Sequence, residues 1–304
     1  MPQLEVLRIG FHFPVAQDIE AQRSIIPNAT RVTLSNLHWL GLSGLSMSLQ
    51  VFLSWLITPR LKKLSIFFFN QLIFSDSTLL QFLNTTERLR FGSARLAFRE
   101  EAIEVRLYPN EEARMYALQM QIGCNSLHWQ VRCVRQLINE LGTVFSTVEY
   151  LTLLYISLGC HQEAGRTHWR KLLQAFNNVR TLSVPEGLVR ELSSSLRPDY
   201  GESPIEPVLL PELKTLSYSA IGDANGAFTA FVNGHQNVGR PITLANQTTT
   251  PFRENDTQSQ PSPWDGTSPD PRSIGDISMD TMSFISQYYF SPFWVFNHNV
   301  DYAL

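Results

Sequence analysis

The chain has 304 residues, 43% of them hydrophobic and 17% charged, with a formal net charge of −3. These values fit a globular protein of one or two ordinary domains, or one modest solenoid, and exclude disorder throughout. They give no electrostatic case for nucleic acid or an anionic membrane as partner. Of the 24 basic residues only Lys62, Lys63, Lys171 and Lys214 are lysines. Codon usage is the simplest source of that bias, although guanidinium groups also suit carboxylate contacts. The opening MPQLEVLRIGF has neither the basic start nor the apolar run of a signal peptide, and no apolar stretch reaches spanning length. Cys124, Cys133 and Cys160 form no disulfide framework, so reduced thiols and a cytoplasmic or nuclear protein are expected. The four sequons at Asn28, Asn84, Asn246 and Asn255 then read as chance matches.

One phrase, L-x-x-L-x-L, organises the chain. It is clearest in Pro59–Phe69, PRLKKLSIFFF, where Leu61, Leu64 and Ile66 fill the three apolar slots. In a leucine-rich repeat those slots point into a stacked core, while the residues between them point out onto an open sheet face. The chain begins inside such a phrase, Leu4/Leu7/Ile9. A stack needs a cap at its end, so the expectation is either a missing upstream segment or a truncated gene product. Pro14–Asn28 reads as a connector with a weak helical turn or two around Ile19–Ile25. Leu37/Leu40/Leu42 is the next phrase, followed by a helix over Ser46–Ile57 with Leu49, Phe52, Leu53 and Leu56 as its stripe. Pro59 ends it. A helix over Asp76–Asn84 follows, capped by Asp76 or Ser77, with Leu79, Leu80 and Leu83 buried.

Thr86/Leu89/Phe91 is a degenerate phrase that runs into two alternating stretches, Ala94–Phe98 and Ile103–Tyr108, read as extra strands that interrupt or decorate the repeat. Met115–Ile122 resumes it, with Leu118, Met120 and Ile122 inward. Val131–Phe145 is the clearest amphipathic helix, burying Val134, Leu137, Ile138 and Leu141. Three more phrases follow at Val148/Leu151/Leu153, Val179/Leu182/Val184 and Leu213/Leu216/Tyr218. Between them fall helices over Trp169–Phe176, with Thr167 as N-cap, and over Glu186–Leu196. Arg197–Pro207 is a loop. Asp223–His235 is the last helix and Pro241–Leu244 a final edge strand.

First slots of successive phrases lie 24 to 34 residues apart, several of them beyond the usual leucine-rich period of roughly 20–29. The spacing therefore predicts an α/β fold: an irregular leucine-rich-repeat solenoid over 1–244. Each strand is expected to pair in parallel with the next, strands on the concave face and helices on the convex one. Residues 245–304 turn Pro-, Ser-, Thr- and Asp-rich, with two arginines against seven acidic residues, and read as a disordered acidic tail. Its aromatic end, SQYYFSPFWVF, reads either as a docking motif or as a translated intron or frame error.

PQLEVLRIGFHFP, TPRLKKLSIFFFNQL, LLQFLNTTERLRF, THWRKLL, NVRTLSVPEGLV and PELKTLSYSAIGDANGAF together resemble the leucine-rich portion of fungal F-box-like proteins, over about residues 2–244. The resemblance implies substrate recognition for cullin-type ubiquitin ligation. In that family a Skp-type adaptor and a cullin are reached through an F-box of roughly 40–50 residues upstream, docked by apolar helix faces, and this chain contains no such segment. The alternative is a scaffold of the same kind, or a decayed gene copy, without a ligase link.

No P-loop, G-x-G-x-x-G, H-E-x-x-H or G-x-S-x-G occurs, and no acid, base and nucleophile converge, so neither an enzyme nor a cofactor is expected. Cys160, His161, Glu163 and His168, or Cys124, His128 and Cys133, lack the paired spacing of a zinc site. His38–Trp39 and His128–Trp129 look like a repeated pair, but only Trp39 falls in a concave slot. Aromatic and arginine residues are favoured binding anchors. The expected protein-binding surface is accordingly Arg8, Trp39, Lys63, Phe67, Arg88, Arg90 and Tyr150, with small hydroxylic residues such as Thr181 and Thr215 lining its C-terminal half.

Overall fold

Alternation dictates the architecture. In Lys63–Phe68 every second side chain is buried, and the same period-two burial recurs in Leu118–Gly123 and Thr181–Val184. Such strands press one face into a core and leave the other partly open. The computed structural model describes residues 3–11, 31–44, 46–68, 78–86, 89–156, 165–197, 209–219 and 226–246. Twelve strands and seven helices lie among them.

The strands are β1 (Val6–Gly10), β2 (Val32–Thr33), β3 (Trp39–Gly44), β4 (Leu56–Ile57), β5 (Lys63–Phe68), β6 (Ser93–Arg99), β7 (Ala102–Tyr108), β8 (Leu118–Gly123), β9 (Tyr150–Ile156), β10 (Thr181–Val184), β11 (Thr215–Tyr218) and β12 (Thr243–Asn246). Ten form one sheet in the order β1-β3-β5-β8-β7-β6-β9-β10-β11-β12, and β2 pairs with β4 separately. The helices are α1 (Ser46–Ser54), α2 (Thr78–Thr85), α3 (Leu127–Glu140), α4 (Gly142–Phe145), α5 (Arg166–Leu173), α6 (Glu186–Leu196) and α7 (Thr229–Asn237). The fold is mixed α/β with a large, mostly parallel sheet. All seven helices add buried side chains to the core that receives the inward sheet residues, from Leu49 of α1 to Trp169 of α5 and Phe231 of α7.

The phrases align as their spacing demands. Leu40 lies opposite Leu7 and Leu64, and Leu182 opposite Leu151 and Leu216. A backbone detail recurs with them, in which one carbonyl accepts two successive N–H groups of the next strand. Glu5 takes His38 and Trp39, His38 takes Lys62 and Lys63, Glu149 takes Arg180 and Thr181, and Arg180 takes Lys214 and Thr215. Each acceptor directly follows a first-slot residue, Leu4, Leu37, Val148 or Val179.

The centre departs from the expected stacking. From α2 the chain passes over two sheet positions to β6, returns antiparallel as β7, and enters β8 beside β5. The extra strands are therefore not decoration; they occupy the middle of the sheet. Gly92 accepts from Glu149 and Tyr150 as the other acceptors do, which makes Phe91/Ala94/Leu96 the true fourth phrase, with Ala94 and Leu96 opposite Leu151 and Leu153. Thr86/Leu89/Phe91 has the same spacing and a leucine in the slot where the correct frame has Ala94, so it masks that frame. Only glycine fits at 92, because a Cβ there would meet the Pro109 carbonyl oxygen at 2.7 Å.

Other boundaries shift for local reasons. α1 ends at Ser54, and Leu56 joins the small β2–β4 ladder instead of the helical stripe. In α2 Phe82 is buried where Leu80 was expected. α3 begins at Leu127, with the Ser126 side chain accepting from the Trp129 N–H. Gly165, not Thr167, precedes α5, at a φ of 55°. α6 matches its expected span, and α7 begins later than its own. Ala245 and Asn246 complete β12, so the compositional boundary at 245 falls inside a strand. The tail from 247, the turns around Ile19–Ile25 and the caps Asp76 and Ser77 lie outside the described residues.

Candidate functional site: the open face of the sheet

Register arranges the face away from the helices into rows that cross the strands. One row runs Arg8, Gly41, Ser65, Gln119, Arg106, Arg95, Thr152, Ser183 and Ser217. Beside it lie Val6, Trp39 and Lys63 at one end, Tyr108, Ser93 and Tyr150 in the middle, and Thr181, Thr215 and Thr243 at the other end. The N-terminal and central strands thus carry cations and aromatic rings, and the C-terminal strands carry hydroxyls.

At the N-terminal corner two cations share one indole. The Arg8 guanidinium carbon lies 4.1 Å from the centre of the Trp39 ring and the Lys63 ammonium 4.8 Å from it. Lys63 also sits 4.2 Å from the Tyr116 ring. Both are within cation–π range, an attraction of about 0.5–2 kcal/mol. Gly41 makes the corner possible, since a Cβ there would approach the Arg8 Cγ to 3.2 Å. Burial lowers the Arg8 pKa, opposed by Tyr116. Neither Arg8 nor Lys63 has an ion pair among the described residues. Beneath them Trp39 Nε1 and Ser65 Oγ are sealed from solvent without a hydrogen-bond partner.

The centre is arranged oppositely. Glu104, 4% exposed, projects from β7 onto the same face. Its Oε1 accepts from Arg106 Nε at 2.8 Å and from the Gln119 amide, and lies 2.7 Å from Arg106 Nη2; its Oε2 lies 3.1 Å from Arg99 Nη2. Burial alone would lower the Arg106 pKa, but the attraction and hydrogen bond of Glu104, with help from Tyr108, outweigh it and raise the pKa. Arg95 stands 5.4 Å from the Tyr108 ring and Arg106 5.6 Å from Tyr116.

Of the residues expected to form the surface, Arg8, Trp39 and Lys63 come together. Phe67 lies on the same face one row further along, opposite Ser43 and Gln121. Tyr150 shares the face but sits five strands from Trp39, about 24 Å at the usual strand spacing. Arg90 is exposed and precedes β6, because the frame shift of the fourth phrase moves it off the strand. Arg88 lies outside the described residues. Arg95, Arg99, Glu104, Arg106, Tyr108 and Tyr116 escaped sequence reasoning. Period two in ARLAFR and IEVRLY would have placed the first five on the open face once those strands were put inside the sheet.

Elsewhere, polar groups mostly answer one another. A recess of 470 Å³ at the N-terminal ends of β9 and β10 is lined by Ser146, Thr147, Glu149, Asn178, Arg180 and Glu212. There Arg180 pairs with Glu149 at 3.2 Å, and the Asn178 amide donates to the Ser146 carbonyl. The His128 and His168 rings meet at 4.4 Å. Cys124 and Cys133 are free thiols; their mutual hydrogen bond raises the Cys124 pKa and lowers that of Cys133. Among the described residues no three His, Cys, Asp or Glu side chains are grouped to hold a metal, and no helix is long and apolar enough to cross a membrane. Cys160, His161 and Glu163 lie outside them. No family model, curated protein or solved structure matches the chain.

Proposed function

We propose that the chain is a protein-binding module of the leucine-rich-repeat type, an irregular solenoid that offers the open face of its sheet to a partner protein. The recurring phrase, its in-register stacking and the repeated two-donor carbonyl support the repeat reading. The observation that carries the binding reading is the corner where Arg8 and Lys63 crowd one indole with no carboxylate partner among the described residues. Each contact stabilises the corner slightly, and two cations held on one ring also present a fixed positive site to a partner. In this reading the module takes the place of the substrate-recognition part of an F-box protein, acting in the cytoplasm or nucleus and presenting targets for cullin-type ubiquitin ligation. It does no chemistry of its own.

The test is site-specific photo-crosslinking in cells. A photoreactive phenylalanine replaces Thr152 on the open face or, separately, Asn139 on the outer side of α3. Adducts from position 152 and silence from position 139 are expected; the reverse pattern would overturn the reading. Recovery of a Skp-type adaptor and cullin with the adduct assigns the ligase role, and their absence leaves a scaffold of the same kind.

A further inference from the structure

Among the described strand residues the open face carries Arg8, Lys63, Arg95, Arg99 and Arg106 against one carboxylate, Glu104. Glu104 is fully engaged at the centre by Arg99, Arg106 and Gln119. Among the described residues the cations at the corner have no carboxylate partner, and they share one ring. Arg8 of β1 and Lys63 of β5 reach the indole from the strands on either side of β3, and burial disfavours the charged form of Arg8. The excess of guanidinium and ammonium groups over carboxylates on this face is what an anionic group of a ligand would answer.

Resting on the protein-binding reading, we propose that the Arg8–Trp39–Lys63 corner seats a carboxylate side chain of an acidic, extended segment in the partner. Arg8 has no ion-pair partner among the described residues, and the fork of N–H donors on a guanidinium matches a planar, bidentate acceptor, which a carboxylate is. A second contact follows from the row. Arg95, outside the Glu104 network, lies five strands from Arg8 and directly opposite Thr152, about 24 Å from Arg8, which an extended peptide crosses in about seven residues. This makes the favoured ligand a segment with acidic residues at both ends of a seven-residue stretch.

The probe is a random decapeptide display library panned against the full chain and against the Arg8→Gln/Lys63→Gln double variant. Glutamine keeps the side-chain stems and removes both charges, and circular dichroism checks that the variant folds. The expected outcome is strong selection of Asp and Glu by the full chain. A selected peptide should then bind the double variant about tenfold or more weakly, and its Asn/Gln counterpart should bind the full chain no better. Binding should also weaken with salt. Selection of peptides without acidic residues, preference for a phosphoserine version of the selected peptide, or equal binding by the double variant would each overturn the proposal. Peptides that are not acidic yet cross-link at position 152 would overturn the corner assignment alone. Failure of any selected peptide to cross-link there would overturn the face as well.

Discussion

The centre and the N-terminal corner of the same sheet face handle charge in opposite ways. At the centre the carboxylate is buried and four donors from Arg99, Arg106 and Gln119 answer it. At the corner two cations lean on an indole, and no carboxylate answers them among the described residues. A completed network mainly fixes structure, because its members have no interaction left to offer. An incomplete one mainly serves recognition, because its deficit is made good by a ligand. The two regions should therefore respond differently to mutation, the centre in stability and the corner in binding.

The largest effect is expected from Glu104→Ala. It strands Arg106, raised in pKa chiefly by this partner against the pull of burial. Breaking a fully buried pair costs about 3–5 kcal/mol. Because the side chains of Arg99 and Arg106 are 41% and 29% exposed, solvent screens part of the loss, and about 2–3 kcal/mol is expected here. Urea denaturation reads it directly. A change below about 0.5 kcal/mol would be that of an ordinary surface substitution and would erase the distinction between the two regions.

A third solution to a sealed group lies near the C-terminal edge and sharpens the contrast. His235 is 2% exposed, with its Nε2 3.0 Å from the Leu209 carbonyl, its Nδ1 unpartnered and its ring against Phe231. Burial lowers its pKa from 6.5, opposed by the Leu209 hydrogen bond and assisted by Arg240. It can stay neutral, which arginine cannot. The unfolded chain binds this proton more readily than the folded one. The stabilisation is thus complete above about pH 6.5 and is lost as pH falls below it. His168, lowered first by its own burial and then by His128, contributes in the same direction. The urea midpoint should accordingly fall between about pH 7.5 and 5.5, and His235→Gln should shrink that fall. An unchanged slope in the variant would mean that His235 takes up its proton as readily in the folded chain as in the unfolded one.

These differences were only partly legible in the sequence. Leu7, Leu40, Leu64, Leu151, Leu182 and Leu216 announce their strands because a one-residue slip would turn them out to water, and α6 could be read to its ends. The order of strands in the sheet could not be read. Nothing in ARLAFR or IEVRLY states whether a hairpin lies inside a sheet or on its flank, because its inward residues are apolar either way. Arg8, Trp39 and Lys63 were accessible as alternate residues of regular phrases. Arg106 and Glu104 were not, since their place on the face depends on that order. Arg90 was misassigned for a related reason: two overlapping matches to one pattern compete, and the one with an alanine slot is correct.

Removing charge from the corner should cost almost nothing in stability, the reverse of the result at Glu104. Lys63→Gln relieves the repulsion with Arg8 and gives up one cation–π contact, and these terms nearly cancel. A stability change within about 0.5 kcal/mol is expected, together with a loss of acidic-peptide binding. Clear destabilisation would mean that Lys63 holds the sheet together.

The smallest and most discriminating change is Gly41→Ala. In a strand interior, alanine in place of glycine stabilises by about 0.5–1 kcal/mol. Here the new methyl meets the Arg8 Cγ at 3.2 Å, which offsets much of that gain, so net stability should move by less than about 0.5 kcal/mol. The Arg8 stem must yield, and its guanidinium rises from the indole. Losing that contact is expected to weaken acidic-peptide binding about two- to fivefold. The same substitution in an Arg8→Gln background should have little further effect on binding, because the group it displaces no longer carries the charge. Two substitutions acting through one contact are non-additive in this way. If Gly41→Ala weakened binding equally in both backgrounds, Gly41 would matter for backbone approach by the ligand, and the corner would owe nothing to the placement of Arg8 on Trp39.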